Sequence, residues 1–273
     1  MQNFEIVKQL STSTFKAIRI RDQKVFGLKS ISYVGLSKAE KKRIVDTINT
    51  LIQLRCSNVI RYHNCVVDSD KGTLNLLTDF CEGGTLQDLL DQHYESRKPF
   101  DEEQIWSIAT DIALALYECH NHKPQVITHG SLTADHIFID SDDSAKIGCF
   151  SLNSCQSVDI EKDLTDLGKL IFEMATLSKA EVCHHSYLYK LKNSGEGIRE
   201  VATKLLSPSS PKFNLVNFLE FPEVALKVLE KKLKIEKSFY EQEKAKYLAL
   251  EESISKREKN VNAAGYNLPQ VKA

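Results

Sequence analysis

The chain has 273 residues, of which 42% are hydrophobic, and a formal net charge of −1. This composition is typical of a globular protein, and the balanced charge argues against nucleic acid or an anionic membrane as a general partner. The N-terminal MQNFEIVKQL lacks a basic stretch followed by an apolar one, and no apolar run reaches membrane-spanning length, so we expect no secretion signal and no membrane span. The seven scattered cysteines contain no C-x-x-C pair, which favours a reducing, cytoplasmic location, with nuclear or cytoskeletal residence left open.

The first 80 residues predict mainly β-structure with one helix. β-branched and aromatic residues alternate with polar ones at 4–10 and 24–31, and again at 59–68 and 73–80, which indicates strands. Between them, Ser37 and Glu40 have the spacing of a helix-capping box, and the following residues place Ile44, Ile48, Leu51 and Ile52 on one face. We therefore expect four strands and a helix that packs against them.

After the glycine pair at 83 and 84 the pattern becomes mainly helical. A short β interlude at 136–140 and 144–150 is joined by the polar turn DSDD. Apolar residues at helical spacing predict the helices listed here by range: 85–93, 101–122, 163–178, 197–206 and 214–221.

Residues 222–260 are rich in Lys and Glu and contain no glycine, which predicts a long exposed helix, followed by a flexible tail at 261–273. Leu226, Leu233, Tyr240, Tyr247 and Ile254 recur every seven residues, and Leu229 and Leu250 occupy the companion positions, which lie three residues further on. Glu236, Glu243 and Arg257 fall at the same companion positions, where a two-stranded coiled coil normally buries apolar side chains. We expect homo- or hetero-association through this helix; a solvated helix lying on the preceding domain is the alternative.

The segment VITHGSLTADHIFID, residues 126–140, resembles the catalytic loop of protein kinases, whose pattern is H-R-D-L-x-x-x-N. NVIRYHNCVVD, DFCEGGTLQDLL and ALYECHNHKPQ are similar to kinase segments in the same order, most closely those of the NIMA-related (NEK) Ser/Thr kinases. The WNK kinases and the nuclear-receptor-binding-protein pseudokinases are similar around HGSLTADHIFI but less close. The resemblance implies an α+β, two-lobed kinase fold over 1–221, with a β-rich N-lobe at 1–80, a helical C-lobe at 85–221 and a C-terminal helical extension.

The resemblance also implies that the chain has lost the residues that kinases use for catalysis. Ser131 stands where the family has its catalytic Asp, His136 where it has Asn, and Cys149 where the D-F-G motif has Asp. A thiol or an imidazole is a poor ligand for magnesium, which prefers oxygen. We therefore expect no catalytic residue and no metal, although Asp135, four residues beyond Ser131, is an alternative base.

The nucleotide-binding parts of the family are only partly retained. The glycine-rich loop becomes LSTSTFKAI, with Ser11, Ser13 and Lys16 in place of glycines, and the side chains hinder a close approach of the backbone to phosphates. Lys29 matches the phosphate-contacting lysine, but the position of its glutamate partner is Thr47. The resemblance implies a vestigial pocket formed by Lys29, Ile18, Thr78, Asp79, Cys81 and Phe138, and thus either no cofactor or weak, metal-independent binding of ATP.

Two groups of Cys and His residues are interpreted as structural. Cys183, His184 and His185 are adjacent in sequence, so their side chains diverge, and no second pair is spaced to complete a tetrahedral metal site. Cys119 and His120 resemble the end of a kinase helix and need no metal.

By contrast, the packing positions of the family are retained. Leu51, Tyr62, His129 and Phe150 match the four stacked side chains that join the kinase lobes, and Asp163 matches the acid that anchors the catalytic loop. The resemblance therefore implies a catalytically inactive domain, a pseudokinase, that binds a protein partner as a scaffold or allosteric regulator; an active kinase or a cytoskeletal protein would suit this role. Two alternatives remain: a divergent NEK-like Ser/Thr kinase with weak ATP-dependent transfer, and a protein whose C-terminal helix is the functional part.

Overall fold

The computed structural model describes residues 4–152, 159–179, 185–207 and 213–263. It divides into two units, Met1–Val224 and Ala225–Ala273, which are described separately below. The cluster of Cys183 and His184 lies outside the described residues, as does the part of the predicted tail beyond residue 263. In the described ranges no helix combines the length and apolar character needed to cross a bilayer.

The N-lobe of the first unit is a five-stranded antiparallel sheet in the order β1-β2-β3-β5-β4. Helix α1, Lys38–Gln53, packs beside β4, and the predicted capping box between Ser37 and Glu40 is confirmed. Its residues Ile44, Ile48 and Leu51 are buried. The strands are β1 (Phe4–Gln9), β2 (Thr14–Arg19), β3 (Lys24–Ser32), β4 (Tyr62–Asp68) and β5 (Thr73–Thr78).

The C-lobe is mainly helical, which confirms the predicted α+β class and two-lobed arrangement. A two-stranded sheet of β6 (Ile137–Ile139) and β7 (Ala145–Ile147) interrupts the helices. A 3₁₀ segment at His185–Asn193 was not predicted, because its apolar residues lack helical spacing. The helices are α2 (Leu86–Ser96), α3 (Glu102–His120), α4 (Ile160–Thr176), α5 (Glu196–Leu206), α6 (Leu215–Leu219) and α7 (Pro222–Ala263), of which α7 continues into the second unit.

Helix α4 occupies the centre of the C-lobe, where Leu167, Ile171 and Phe172 have no exposed surface. Gly168 allows α5 to approach closely, because a Cβ atom at this position would lie 2.7 Å from Cβ of Leu205. Helix α4 is therefore closely packed within the C-lobe.

Asp163, in the first turn of α4, fixes the loop that begins at His129. Its carboxylate is fully buried and accepts hydrogen bonds from the backbone N–H of His129 and of Gly130, both at 2.8 Å. The same carboxylate also lies 2.9 Å from Nε2 of His120, at the end of α3. One carboxylate thus joins α3, α4 and the loop, and such charge-assisted hydrogen bonds are stronger than neutral ones.

Four buried side chains connect the N-lobe to this loop. The ring of Phe150 lies edge-on to Tyr62 of β4, with centroids 6.4 Å apart, and 4.7 Å from the ring of His129. Leu51 of α1 belongs to the same apolar core. His129 Nε2 donates to the carbonyl oxygen of Gly148 at 2.7 Å, because a carbonyl can only accept. The chain therefore has a continuous packed column between its lobes.

Replacing Asp163 with Asn should destabilise the protein by about 3 kcal/mol. An amide offers one acceptor oxygen, so its NH₂ group would face a backbone N–H of His129 or Gly130 in a site that water does not reach. Urea unfolding measures the loss. Asp159→Asn, the same substitution at the N-cap of α4, is the matched control and should cost little because Asn also caps helices well. Equal stabilities of the two variants would contradict the anchoring role.

Stability should fall on acidification between about pH 6.5 and pH 4, because burial lowers the pKa of His129 to about 4 from its ordinary 6.5. In that window the unfolded chain binds more protons than the folded one, so protons favour unfolding, at a total cost of roughly 3 kcal/mol. The free energy of unfolding, measured at several pH values from 6.5 to 5, should have a smaller slope in His129→Phe, which cannot titrate. An unchanged slope would show that this ring does not carry the effect.

Candidate functional site

The loop that follows His129 is held in a fixed shape by its backbone. Gly130 has a φ of 72°, a left-handed conformation that glycine adopts without strain and that aims its N–H at Asp163. Leu132 and Ala134 are buried and attach the loop to the C-lobe. The loop therefore presents the side chains of Ser131 and His136 from a rigid support.

A contact between His136 and the backbone of Ser131 defines which nitrogen of the imidazole carries the proton. Nδ1 of His136 lies 2.7 Å from the carbonyl oxygen of Ser131, so Nδ1 carries a proton and donates. Both side chains are half-buried. Ser131 carries a hydroxyl in place of the carboxylate that would serve as a proton acceptor. A serine hydroxyl is a weak base unless another group activates it.

Cys149 keeps a strained backbone conformation, with a φ of 58°. Such an angle is uncommon for any residue other than glycine and costs free energy. Its N–H donates to the hydroxyl of Tyr62 at 3.1 Å, and the N–H of Ser151 donates to the carbonyl oxygen of His129 at 2.9 Å. These bonds hold the segment against the stacked column, with a half-buried thiol at the strained position.

The side chains at these positions do not fit magnesium. Ser131, His136 and Cys149 offer a hydroxyl, an imidazole and a thiol, whereas magnesium binds through carboxylates, phosphates and water in octahedral geometry. The carboxylate of Asp135 belongs to an exposed residue of a short 3₁₀ turn. Over the described ranges, no group of three or more His, Cys, Asp and Glu side chains is arranged to hold a metal ion.

Lys29 lies on β3 of the five-stranded sheet and is half-buried. Among the residues that the structure describes, no carboxylate forms an ion pair with it. Thr47 of α1 is half-buried at the position where a glutamate partner would be needed, and the neighbouring Asp46 is exposed. Lys29 therefore lacks the acid that would orient its ammonium group.

Lys16 makes a contact that sequence reasoning missed. Strand residues alternate between faces, so Lys16 and Ile18 share one face of β2, whereas the fully buried Ala17 packs on the other face with Phe26. The ammonium group of Lys16 lies 4.6 Å from the ring centroid of Phe80, just beyond β5. Lys16 thus reaches from β2 to the segment that joins the lobes.

The other residues of the predicted nucleotide pocket lie at the end of β5, on that joining segment and on β6. Thr78 Oγ1 would lie 2.7 Å from a Cβ at Gly27, so β3 and β5 are closely spaced there. The carboxylate of Asp79 contacts His63 Nε2 at 2.7 Å. Cys81 is buried, which raises the pKa of its thiol to about 11 and keeps it protonated. Phe138 on β6 packs against Gly148, where a Cβ would lie 3.0 Å from its ring.

Comparison with known proteins identifies the family of this fold. A sequence model of the protein kinase domain matches residues 10–167. The chain is 29% identical over 206 residues to the probable serine/threonine-protein kinase nek2 of Dictyostelium discoideum, covering 65% of this chain and 49% of that one. It is 25% identical over 208 residues to the serine/threonine-protein kinase Nek2 of Mus musculus, covering 65% and 47%.

A third relative is the G2-specific protein kinase fin1 of Schizosaccharomyces pombe, 26% identical over 173 residues that cover 56% of this chain and 24% of fin1. The chain thus spans about half the length, or less, of these curated relatives. With the two-lobed fold, the anchored loop and the stacked column, these matches show that the chain belongs to the protein kinase family, in its NIMA-related branch.

Proposed function

We propose that the kinase-like domain does not transfer phosphate and acts as a protein-binding scaffold or allosteric regulator. The observation that carries the proposal is a contrast between the residues that position the loop after His129 and the side chain of Ser131 in that loop. Asp163 and the column of Tyr62, His129 and Phe150 are packed and hydrogen-bonded, while Ser131 beside them offers no carboxylate. The domain keeps a defined shape without the groups that carry the reaction.

The size of the loss supports this proposal. A general base typically contributes 10²- to 10⁴-fold in rate, roughly 3 to 5 kcal/mol. Magnesium that bridges the phosphates contributes several kcal/mol more, and His136 and Cys149 do not replace its carboxylate and amide ligands. A strong phosphate-transfer activity would need other residues to supply both contributions.

A scaffold of this kind needs no cofactor. Ile18 and Phe138 could still contact an adenine ring, so we propose that ATP, where it binds, binds weakly and without a metal. The partner would be a protein, for which an active kinase or a cytoskeletal protein are the candidates, and the site of action would be the cytoplasm. The balanced net charge supports the absence of nucleic acid and membrane partners.

A divergent NEK-like Ser/Thr kinase with weak transfer is the second candidate function. Two observations favour it: the column between the lobes is assembled, and Lys29 occupies its family position on β3. Asp135, exposed on the turn that precedes β6, would then have to serve as the base. The relatives named above are protein kinases by name, which also supports this reading.

The purified chain, incubated with radiolabelled ATP and magnesium or manganese, should label neither itself nor a generic protein substrate. The physical reason is the joint loss of carboxylates at Ser131 and Cys149 and of the amide at His136. Scintillation counting of the separated proteins measures the transfer, with an active Ser/Thr kinase as the positive control.

Two matched variants decide what any labelling means. Asp135→Asn removes the substitute base, and Asp70→Asn makes the same change in a distant exposed turn. Labelling that Asp135→Asn abolishes and Asp70→Asn preserves would refute the scaffold proposal and establish the divergent kinase.

A further inference from the structure

Lys16 belongs to a row of residues that crosses the N-lobe sheet on the face that carries Ile18. The strand register places Lys16 directly opposite Gly27 of β3, and Gly27 directly opposite Thr78 of β5. Directly paired residues of neighbouring strands share a face of the sheet, and each strand adds about 4.8 Å to the row. The row therefore leads from β2 to the start of the segment that joins the lobes.

The side chain of Lys16 extends along this row. Gly27 has no side chain to obstruct it, and a Cβ atom there would lie 2.7 Å from Oγ1 of Thr78. The ammonium group of Lys16 ends 4.6 Å from the ring centroid of Phe80, two residues after Thr78. Lys16 and Phe80 are both half-buried. The aliphatic stem of Lys16 therefore runs over β3 near Gly27.

The surrounding charges favour this placement of Lys16. Lys8 of β1 is paired with Lys16 on the side away from β3, and like charges at directly paired positions repel each other. Within the ranges that the structure describes, no carboxylate forms an ion pair with Lys16. Asp79, which precedes Phe80, has its carboxylate 2.7 Å from Nε2 of His63. The electron-rich face of Phe80 is therefore the partner of the Lys16 ammonium group.

The surface that Lys16 covers is also the upper wall of the predicted nucleotide pocket. A purine held between Ile18 and Phe138 would lie against β2 and β3 beside Gly27. The lower wall is fixed to the segment that joins the lobes, because the N–H of Ile139 donates to the carbonyl oxygen of Gly84 at 2.9 Å. The stem of Lys16 and a purine ring would thus compete for the same space.

We propose that Lys16 is a clasp that closes this pocket to purines. In the closed form the ammonium group rests on Phe80, and in the open form Lys16 turns away and a ring can enter. A ligand that binds only the open form has an apparent dissociation constant equal to the intrinsic one divided by the fraction of open protein. The inference rests on the proposed weak binding of ATP and gives it a cause, namely competition from a side chain of the same domain.

Adenosine is the probe, because it has the purine but no phosphate whose charge would attract Lys16. A ligand-detected NMR titration with the full-length chain measures its dissociation constant. Lys16→Ala should bind adenosine about two- to thirtyfold more tightly than the native chain, the range expected when one cation–π contact no longer holds the closed form. Lys16→Arg, which can make the same contact, should bind adenosine as the native chain does.

Two further variants locate the effect. Lys24→Ala is the matched control, because the ammonium group of Lys24 lies 5.7 Å from the ring centroid of Phe26 on the other face of the sheet. This variant should bind adenosine with unchanged affinity. Phe80→Leu removes the ring that holds the clasp, so adding Lys16→Ala to it should give a smaller gain than in the native chain.

Three results would overturn the clasp. An unchanged or weaker affinity of Lys16→Ala for adenosine would show that Lys16 does not exclude the purine, and an equal gain in Lys24→Ala would show that the effect is not specific to it. Binding of adenosine by neither the native chain nor Lys16→Ala would show that another feature closes the pocket. Because adenosine carries no phosphate to transfer, labelling by radioactive ATP would refute the scaffold proposal separately.

Discussion

The buried carboxylate of Asp163 is the interaction on which the rest of this site depends. It is fully buried and receives two backbone N–H groups at 2.8 Å from a loop 34 and 33 residues away in sequence. Without that acceptor, the buried donors of His129 and Gly130 would lose their partner. The position of His129 then sets that of Phe150, which packs on it and reaches Tyr62 in the N-lobe. One desolvated acid thus connects the helical core to the sheet.

The positions that pack the domain differ from the positions that would handle charge in a kinase reaction. Positions that pack or accept backbone hydrogen bonds keep residues that can do so, and even Cys149 keeps a strained, left-handed backbone. At the positions that would handle charge, Ser131 is neutral, Lys29 forms no ion pair within the described residues, and Lys16 stands where the resemblance implies a glycine. At one of these positions the ammonium group of Lys16 contacts the ring of Phe80. This contrast is the observation that supports the proposed scaffold role.

Local patterns were sufficient to predict most helices and strands, such as the capping box at Ser37 that begins α1. Contacts between distant residues were accessible only through resemblance: no local property of Asp163 indicates that it binds the backbone of His129. The contact of Lys16 with Phe80 was missed because it joins residues 64 apart and has no sequence signature. The left-handed backbone of Cys149 also could not be predicted, since the intrinsic preference of cysteine opposes it.

Thermal unfolding in the presence of ATP, with and without magnesium, is the most direct test of the central claim. It asks whether the folded domain binds a complex of magnesium and nucleotide. A ligand at 100 times its dissociation constant adds about 2.7 kcal/mol of stability, so even modest binding is visible. We expect a small shift of the unfolding temperature that is the same with and without magnesium. A large magnesium-dependent shift that Lys29→Ala abolishes would contradict it, because the site would then bind a metal–nucleotide complex.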